Sequence, residues 1–184
     1  MPSEAIKNLN VRLSDVDELI TAHEALTGGG RGRPAARQGA AVTKAAIVLL
    51  TAIFEAFVED IFERATVDIF PNLANAERRD FLRATSGRLN SVSVKNVNFL
   101  YAQVGYPFIL DDLSWRGFSN ANLKTSIDAM VAARNKIAHG GVPNVTLSSL
   151  RRWKNMVGAF SQRFEDLVLD HAEGWTDIRP NWEV

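Results

Sequence analysis

An arginine, an asparagine and a histidine stand close together in the segment 131–141. Asn135 directly follows Arg134, and His139 comes four residues later, just before two glycines. Histidine has an ordinary pKa suited to proton transfer near neutral pH, and arginine is a permanent cation whose planar group can bind two phosphate oxygens. Asn135 can hold an imidazole in one tautomer or donate to phosphate. Together these groups have the chemistry to cleave a phosphodiester without a metal ion.

The spacing indicates how these side chains are arranged. Gly140 and Gly141 favour a left-handed cap, so the helix is predicted to stop at His139. At about 100° per residue, Asn135 lies about 40° from His139 around the helix, while Arg134 lies about 140° away. One copy of the motif cannot easily aim Arg134 and His139 at one point unless the last turn unwinds. Two copies facing each other could.

The motif resembles the signature of HEPN domains, small all-helical proteins of which many are metal-independent ribonucleases. The signature is an arginine, a polar residue, three further residues and a histidine, and Arg134, Asn135 and His139 match it. The helix over 45–60 is similar to the corresponding helix of the RiboL-PSP-like branch. The resemblance covers roughly residues 40–173. It implies an RNA substrate and a homodimer, with Arg134 and His139 of two subunits meeting in one cleft.

One position departs from the pattern. Some family members carry a tyrosine two residues after the histidine, which a paired nucleotidyltransferase adenylylates, and here that position is Gly141. Neutralisation by that route is therefore in doubt, although an antitoxin or defence-system partner of another kind remains an expectation. The absence of the tyrosine does not argue against cleavage.

The composition restricts the other function classes. Lysine plus arginine and aspartate plus glutamate number 21 each, so bulk charge does not favour nucleic-acid binding and any RNA contact requires a local patch. There is no cysteine, hence no disulfide or cysteine-ligated zinc. No cofactor or metal site is predicted. Without a signal-peptide pattern or an apolar run near membrane-spanning length, we expect a cytoplasmic protein that does not contact a membrane.

The hydrophobic periodicity predicts an all-α, up-and-down bundle of five or six helices. No stretch shows the alternation of a β-strand. The predicted division is an N-terminal helix plus Gly/Arg-rich loop at 1–40, a HEPN-like bundle at 41–173 and an irregular tail at 174–184. Residues 1–10 are predicted to be a loose lead-in.

Several basic residues outside the motif are possible RNA contacts. The segment 27–39 contains clustered glycines and a proline, which predict a mobile loop, and its arginines either carry incidental charge or bind phosphates. A charged helix after Pro71 supplies either a surface face or a phosphate-binding patch. The candidate contacts from these segments and the motif helix are Arg31, Arg33, Arg37, Arg78, Arg79 and Lys136.

Other polar and aromatic residues have two interpretations each. The loop 105–118 carries Tyr106, Phe108 and Trp115, which either stack on bases or close one end of the bundle. Acidic residues spaced four apart on the central helix are favoured as a solvated face, although one could pair with Arg134 and position it. Both remaining histidines are interpreted as structural. The acidic residues are Glu55, Glu59 and Glu63, and the histidines are His23 and His171.

These patterns lead to two hypotheses. The first is a metal-independent endoribonuclease with a toxin or phage-defence role, which leaves a 2′,3′-cyclic phosphate and a 5′-hydroxyl. The second is a noncatalytic helical binding or scaffolding module, in which Arg134 forms a structural ion pair and His139 caps the helix.

Overall fold

The computed structural model describes residues 3–28, 33–88 and 91–182, with the backbone alone described at 33–37 and 88. Over these residues the chain is an all-α bundle of six helices without a β-strand. Short 3₁₀ turns at Ser86–Arg88 and Ile109–Asp112 join the shorter helices. The helices are α1 Glu4–Gly28, α2 Arg33–Ile69, α3 Asn75–Ala84, α4 Val94–Ala102, α5 Asn120–Ala138 and α6 Leu147–Thr176.

The central helix α2 packs against α1, α5 and α6, and its apolar face forms the middle of the core. Phe54 packs edge-on against Phe160 of α6, with ring centroids 5.0 Å apart. Tyr101 of α4 makes a similar contact with Phe164 at 5.1 Å, and its hydroxyl donates to the Val58 carbonyl. Aromatic pairs of this kind stabilise beyond their buried area, and the phenolic hydrogen bond satisfies a buried polar atom.

Polar contacts join α1 to α6 along much of their length. Ser3 donates to the buried carboxylate of Glu165 at one end, and Lys154 pairs with Asp17 at 2.6 Å further along. Glu24, near the end of α1, pairs with Arg151 in the first turns of α6. The first and last helices therefore run antiparallel within one bundle.

Two predictions at the N-terminus were wrong. Most of the segment 1–10 is not a loose lead-in, because α1 begins at Glu4 and buries Ile6 and Leu9 in the core, while residues 1 and 2 lie outside the described residues. The loop predicted over 27–39 is also too long, because α1 continues to Gly28 and α2 begins at Arg33. Pro34 is compatible with that start, since the first turn of a helix has no intrahelical use for the missing N–H group.

Side-chain caps begin helices α4, α5 and α6. Ser93, Ser119 and Thr146 each accept a hydrogen bond from the backbone N–H three residues ahead. Helix α6 continues to Thr176, so it enters the region predicted to be an irregular tail. Beyond it, Trp182 is buried and its Nε1 donates to Asp68 at 2.6 Å, which fastens the tail to α2.

Helix α2 is more apolar than expected, since no apolar run near membrane-spanning length was predicted. Within the described residues, the stretch Gln38–Ile69 is long and apolar enough to cross a membrane by length and composition, and its most apolar 18-residue window has a mean hydropathy of 1.9. Half of its most apolar window is buried by the rest of the bundle. The core helix of a soluble protein has the same length and composition.

Candidate functional site

Helix α5 presents the motif at its C-terminal end. The helix stops at Ala138, His139 is its C-cap, and Gly140 has a left-handed φ of +76°. The Gly140 N–H donates to the Ile137 carbonyl, and the Gly141 N–H donates to the Lys136 carbonyl at 2.8 Å. This pair of bonds is a Schellman motif, which satisfies the last carbonyls of the helix by backbone groups alone. The predicted stop at His139 is thus one residue from the observed end.

The backbone closure leaves the His139 side chain exposed at the helix end. Its backbone N–H is bonded to the Asn135 carbonyl, but the imidazole has no hydrogen-bond partner among the residues that the structure describes. Asn135 does not orient this ring as the 40° spacing suggested. Its Oδ1 accepts instead from Arg134 Nη1 at 3.1 Å.

Arg134 is half-buried and interacts with the acidic side of α2. Burial raises the pKa of the Glu55 carboxyl group, and the positive charge of Arg134 partly opposes that rise. Arg134 therefore has a hydrogen bond to Asn135 on its own helix and a charge interaction with Glu55 on the neighbouring helix. The expectation that an acidic residue of the central helix lies beside Arg134 agrees with this arrangement.

A second carboxylate, Glu59, lies one turn further along α2. Partial burial raises its pKa to about 7, and the negative charges of Glu55 and Asp60 contribute to the rise. Glu63 follows on the same side and is exposed. Within the described residues no group of three or more His, Asp or Glu side chains is arranged to hold a metal ion.

The position of the family tyrosine is sterically closed in this conformation. A Cβ atom at Gly141 would lie 2.7 Å from Lys136 Cγ and 2.9 Å from the Lys136 carbonyl oxygen. Contacts below 3.0 Å to backbone atoms require the chain to move, so a tyrosine does not fit here. Lys136 itself is exposed beside the motif.

The motif lies at the same end of the bundle as the turn between α1 and α2. A cavity at this end is lined by His23 of α1 and Thr43 of α2, and by Val142 and Pro143 from the connection after His139. Arg31 is outside the described residues, and Arg33 and Arg37 are described by their backbone alone, at the start of α2. Their role as RNA contacts stays a prediction.

Arg78 and Arg79 lie on α3, which follows the opposite end of α2. Arg78 donates to the Phe70 carbonyl and to Asn75, so its guanidinium already holds the α2–α3 connection. Arg79 is exposed. Within one subunit the fold does not bring these two arginines together with His139.

The other histidines have structural partners. His23 Nδ1 is within hydrogen-bond distance of the Gly39 carbonyl and the Thr43 hydroxyl. His171 Nε2 lies 2.9 Å from the Val104 carbonyl, and its ring packs on Tyr106 with centroids 4.4 Å apart. Both agree with the structural interpretation, in contrast to the exposed His139.

The outward face of α2 is a feature that the sequence analysis missed. Ala45, Val48 and Ala52 are exposed in a row of small apolar residues, and the row continues toward Glu55 and Glu59. The signal was present in the sequence, because these positions are apolar at helical spacing on the side opposite the core residues. A long apolar helix that buries only one face leaves the other available to a partner.

The comparison with known families matches this architecture. An all-helical bundle that presents an arginine, a polar residue and a histidine at a helix end has the form of a HEPN domain. The family model RiboL-PSP-HEPN matches residues 8–170, so the chain belongs to the RiboL-PSP-HEPN family. The match includes most of α1, which the resemblance over 40–173 left out. No curated protein and no solved structure matches the chain.

Proposed function

We propose that the protein is a metal-independent endoribonuclease whose active site combines Arg134 and His139 of two subunits. The main support for this proposal is the end of α5, where backbone groups cap the helix and the imidazole of His139 is left exposed. Family membership gives independent support, because HEPN domains are generally associated with ribonucleases.

The proposed reaction uses the substrate's own 2′-hydroxyl as nucleophile. His139 accepts the proton as the 2′-oxygen attacks phosphorus, the 5′-oxygen leaves with a proton from a water molecule, and the imidazolium then returns its proton to the hydroxide that remains. The Arg134 guanidinium stabilises the negative charge that accumulates on the phosphoryl oxygens. The products are a 2′,3′-cyclic phosphate and a 5′-hydroxyl, and the proton balance closes without a metal ion.

The outward face of α2 supports the homodimer. Its exposed alanines allow close approach of a second copy of the same helix, which would form an isologous contact about a two-fold axis. Arg134 lies beside this face through its interaction with Glu55. Pairing here would bring two motif helices toward each other and would resolve the 140° separation between the two side chains within one copy.

The direct test compares wild-type protein with His139→Ala on a labelled single-stranded RNA. We expect the substitution to lower the cleavage rate about 10²- to 10⁴-fold, because proton transfer by a positioned side chain contributes on this scale. His171→Gln is the matched control, since that ring contacts the loop after α4 and lies outside the motif. Chelation with EDTA should leave the wild-type rate unchanged.

Cleavage by His139→Ala at the wild-type rate would contradict the proposal. A single 2′-deoxynucleotide at the cleaved position must also block the reaction, and the 5′ fragment must carry a cyclic phosphate. Products with a 3′-hydroxyl would indicate a different mechanism.

The alternative is a noncatalytic binding module, in which His139 serves as a helix cap and Arg134 as half of a structural ion pair. The cap is made by backbone groups, and within the described residues Arg134 bonds to Asn135 rather than to a carboxylate. These contacts favour the nuclease. A protein that binds RNA tightly but leaves it intact would reverse this preference.

The biological setting that we propose is a toxin or phage-defence role in the cytoplasm. Induced expression of the wild type should then arrest growth, whereas His139→Ala at an equal level should not. Co-expression of neighbouring genes tests for an antitoxin partner, which would restore growth without changing the amount of protein. Equal growth with both forms would contradict a toxin role and leave the nuclease assay unaffected.

A further inference from the structure

A groove of about 510 Å³ runs along α6, between this helix and the turn before α5. Its volume lies within the range of about 300–1,000 Å³ typical of ligand sites. Residues at helical spacing form one side, and the turn before α5 forms the other. The lining residues are Trp115, Phe118, Ser148, Arg151, Arg152, Asn155, Met156 and Ala159.

One wall of the groove is a stack of flat side chains. The rings of Trp115 and Phe118 are parallel within 8°, with centroids 5.0 Å apart. The guanidinium carbon of Arg163 lies 5.1 Å from the Trp115 ring centroid, and Arg163 is held by a hydrogen bond to the Ala159 carbonyl. Reciprocal backbone bonds between Trp115 and Phe118 fix the turn that carries both rings. The wall is therefore preorganised.

The charge of the groove differs from that of the whole chain. The protein has equal numbers of basic and acidic residues, but the charged residues that line the groove are both arginines. Arg151 pairs with Glu24, whereas Arg152 is exposed and has no ion-pair partner in the part of the chain that the structure describes. A cation without a partner, beside a rigid aromatic wall, is suited to a phosphate group.

We propose that this groove binds a nucleotide of a single-stranded RNA, with the base against the aromatic wall and the phosphate on Arg152. Aromatic side chains accept any base by stacking, and Asn155 and Ser148 offer donors and acceptors for base or ribose edges. An extended peptide of acidic residues would match the charge but has no aromatic rings to stack on Trp115 and Phe118. The aromatic wall therefore favours RNA over an acidic peptide as the ligand.

The proposal rests on the nuclease function and adds a substrate-binding site to it. Ser148 follows His139 by nine residues, so the chain between them spans at most about 30 Å. An RNA strand in the groove thus passes within a few nucleotides of the same subunit's motif. The groove would hold the substrate beside the scissile phosphate and contribute binding energy rather than chemistry.

The test uses full-length His139→Ala protein and a fluorescent single-stranded RNA of about twelve nucleotides, measured by anisotropy at several salt concentrations. In this background Phe118→Leu should weaken binding about 5- to 100-fold. Arg152→Gln should weaken it about 3- to 10-fold and reduce the slope of log affinity against log salt by about 0.7. Lys95→Gln, which removes one exposed charge from α4, is the matched control and should change neither quantity.

The same groove substitutions in active protein separate this proposal from the nuclease function. Phe118→Leu and Arg152→Gln should raise KM and leave kcat within about twofold, because binding and not chemistry is lost. Groove variants that bind and cut RNA like the wild type would overturn the groove and leave the nuclease intact. Failure of the unsubstituted protein to bind or cut RNA would overturn both, and equal competition by a polyglutamate peptide would assign the groove to an acidic protein instead.

Discussion

The partly buried carboxylates of α2 make the stability of the protein depend on pH. Glu59 has a folded-state pKa of about 7, well above its value of 4.5 in an unfolded chain, because burial and the charges of Glu55 and Asp60 disfavour ionisation. Between these two values the folded state binds more protons than the unfolded state. Stability therefore falls as the pH rises from about 4.5 to about 7, and the loss is complete above that range.

The loss of stability with rising pH leads to a prediction for Glu59→Gln. The amide cannot ionise, so the variant should be more stable than the wild type above pH 7, by on the order of 1 kcal/mol after allowance for solvent screening. The difference should shrink toward pH 5. Chemical denaturation at pH 5, 7 and 8.5 measures it, and Glu63→Gln on the exposed continuation of the same face is the control. An equal difference at all three pH values would contradict the assignment to Glu59.

At the level of elements, Gly140, which follows α5, and Gly158, in the middle of α6, should respond oppositely to the same substitution. Gly140 has φ of +76° and open space around its Cα, so Gly140→Ala costs conformational energy alone, about 1 kcal/mol. Gly158 is helical, and an added Cβ would meet only Leu13 Cδ1, at 3.8 Å. Gly158→Ala should therefore stabilise the protein by about 0.5–1 kcal/mol.

Thermal denaturation of the two single variants checks this pair. Gly140→Ala should also lower the cleavage rate more than its small loss of stability explains, because it disturbs the turn that presents His139. Equal shifts of the two variants in the same direction would show that the Schellman closure does not determine the position of the helix end.

The elements could be predicted from the sequence wherever the signal is local. The three capping side chains and the two glycines fix helix ends through contacts within a few residues, and the end of α5 was predicted to within one residue. The start of α2 was missed because Pro34 and its neighbouring glycines and arginines have the composition of a loop. The helix forms there because the first turn tolerates proline.

The candidate site was predictable only in part, for a related reason. Arg134, Asn135 and His139 are neighbours in sequence, so their spacing could be analysed directly. The groove combines Trp115 and Phe118 with residues of α6 that are thirty or more positions away. No periodicity joins such segments, and their meeting is decided by how α5 and α6 pack.

For the molecule as a whole, the composite site predicts complementation between two inactive proteins. Arg134→Ala and His139→Ala should each be inactive alone. In a mixed dimer, one cleft receives the intact Arg134 of one subunit and the intact His139 of the other. Equal amounts, unfolded together and refolded, should recover up to about a quarter of wild-type activity, since about half of the dimers are mixed and each has one complete pair.

Separately refolded proteins that are combined and assayed at once are the control, because their subunits have not exchanged. Recovery that depends on co-refolding would establish a site built from two copies. Absence of activity in a preparation shown to contain mixed dimers would mean that Arg134 and His139 act within one subunit, or that the cleft requires two intact copies of each.

The packing of α6 against α2 also affects how the protein folds during its synthesis. About 80 residues separate the end of α2 from the start of α6, which corresponds to about 4–16 s of synthesis at 5–20 residues per second. During that interval the aromatic side of α2 has emerged from the ribosome without its cover and is a target for chaperones. The helix that carries the motif packs against both α2 and α6, so its packing is complete only after α6 has followed it. A chain terminated before α6 would therefore lack a fully packed motif helix, and the proposed activity would appear only after α6 has been synthesised.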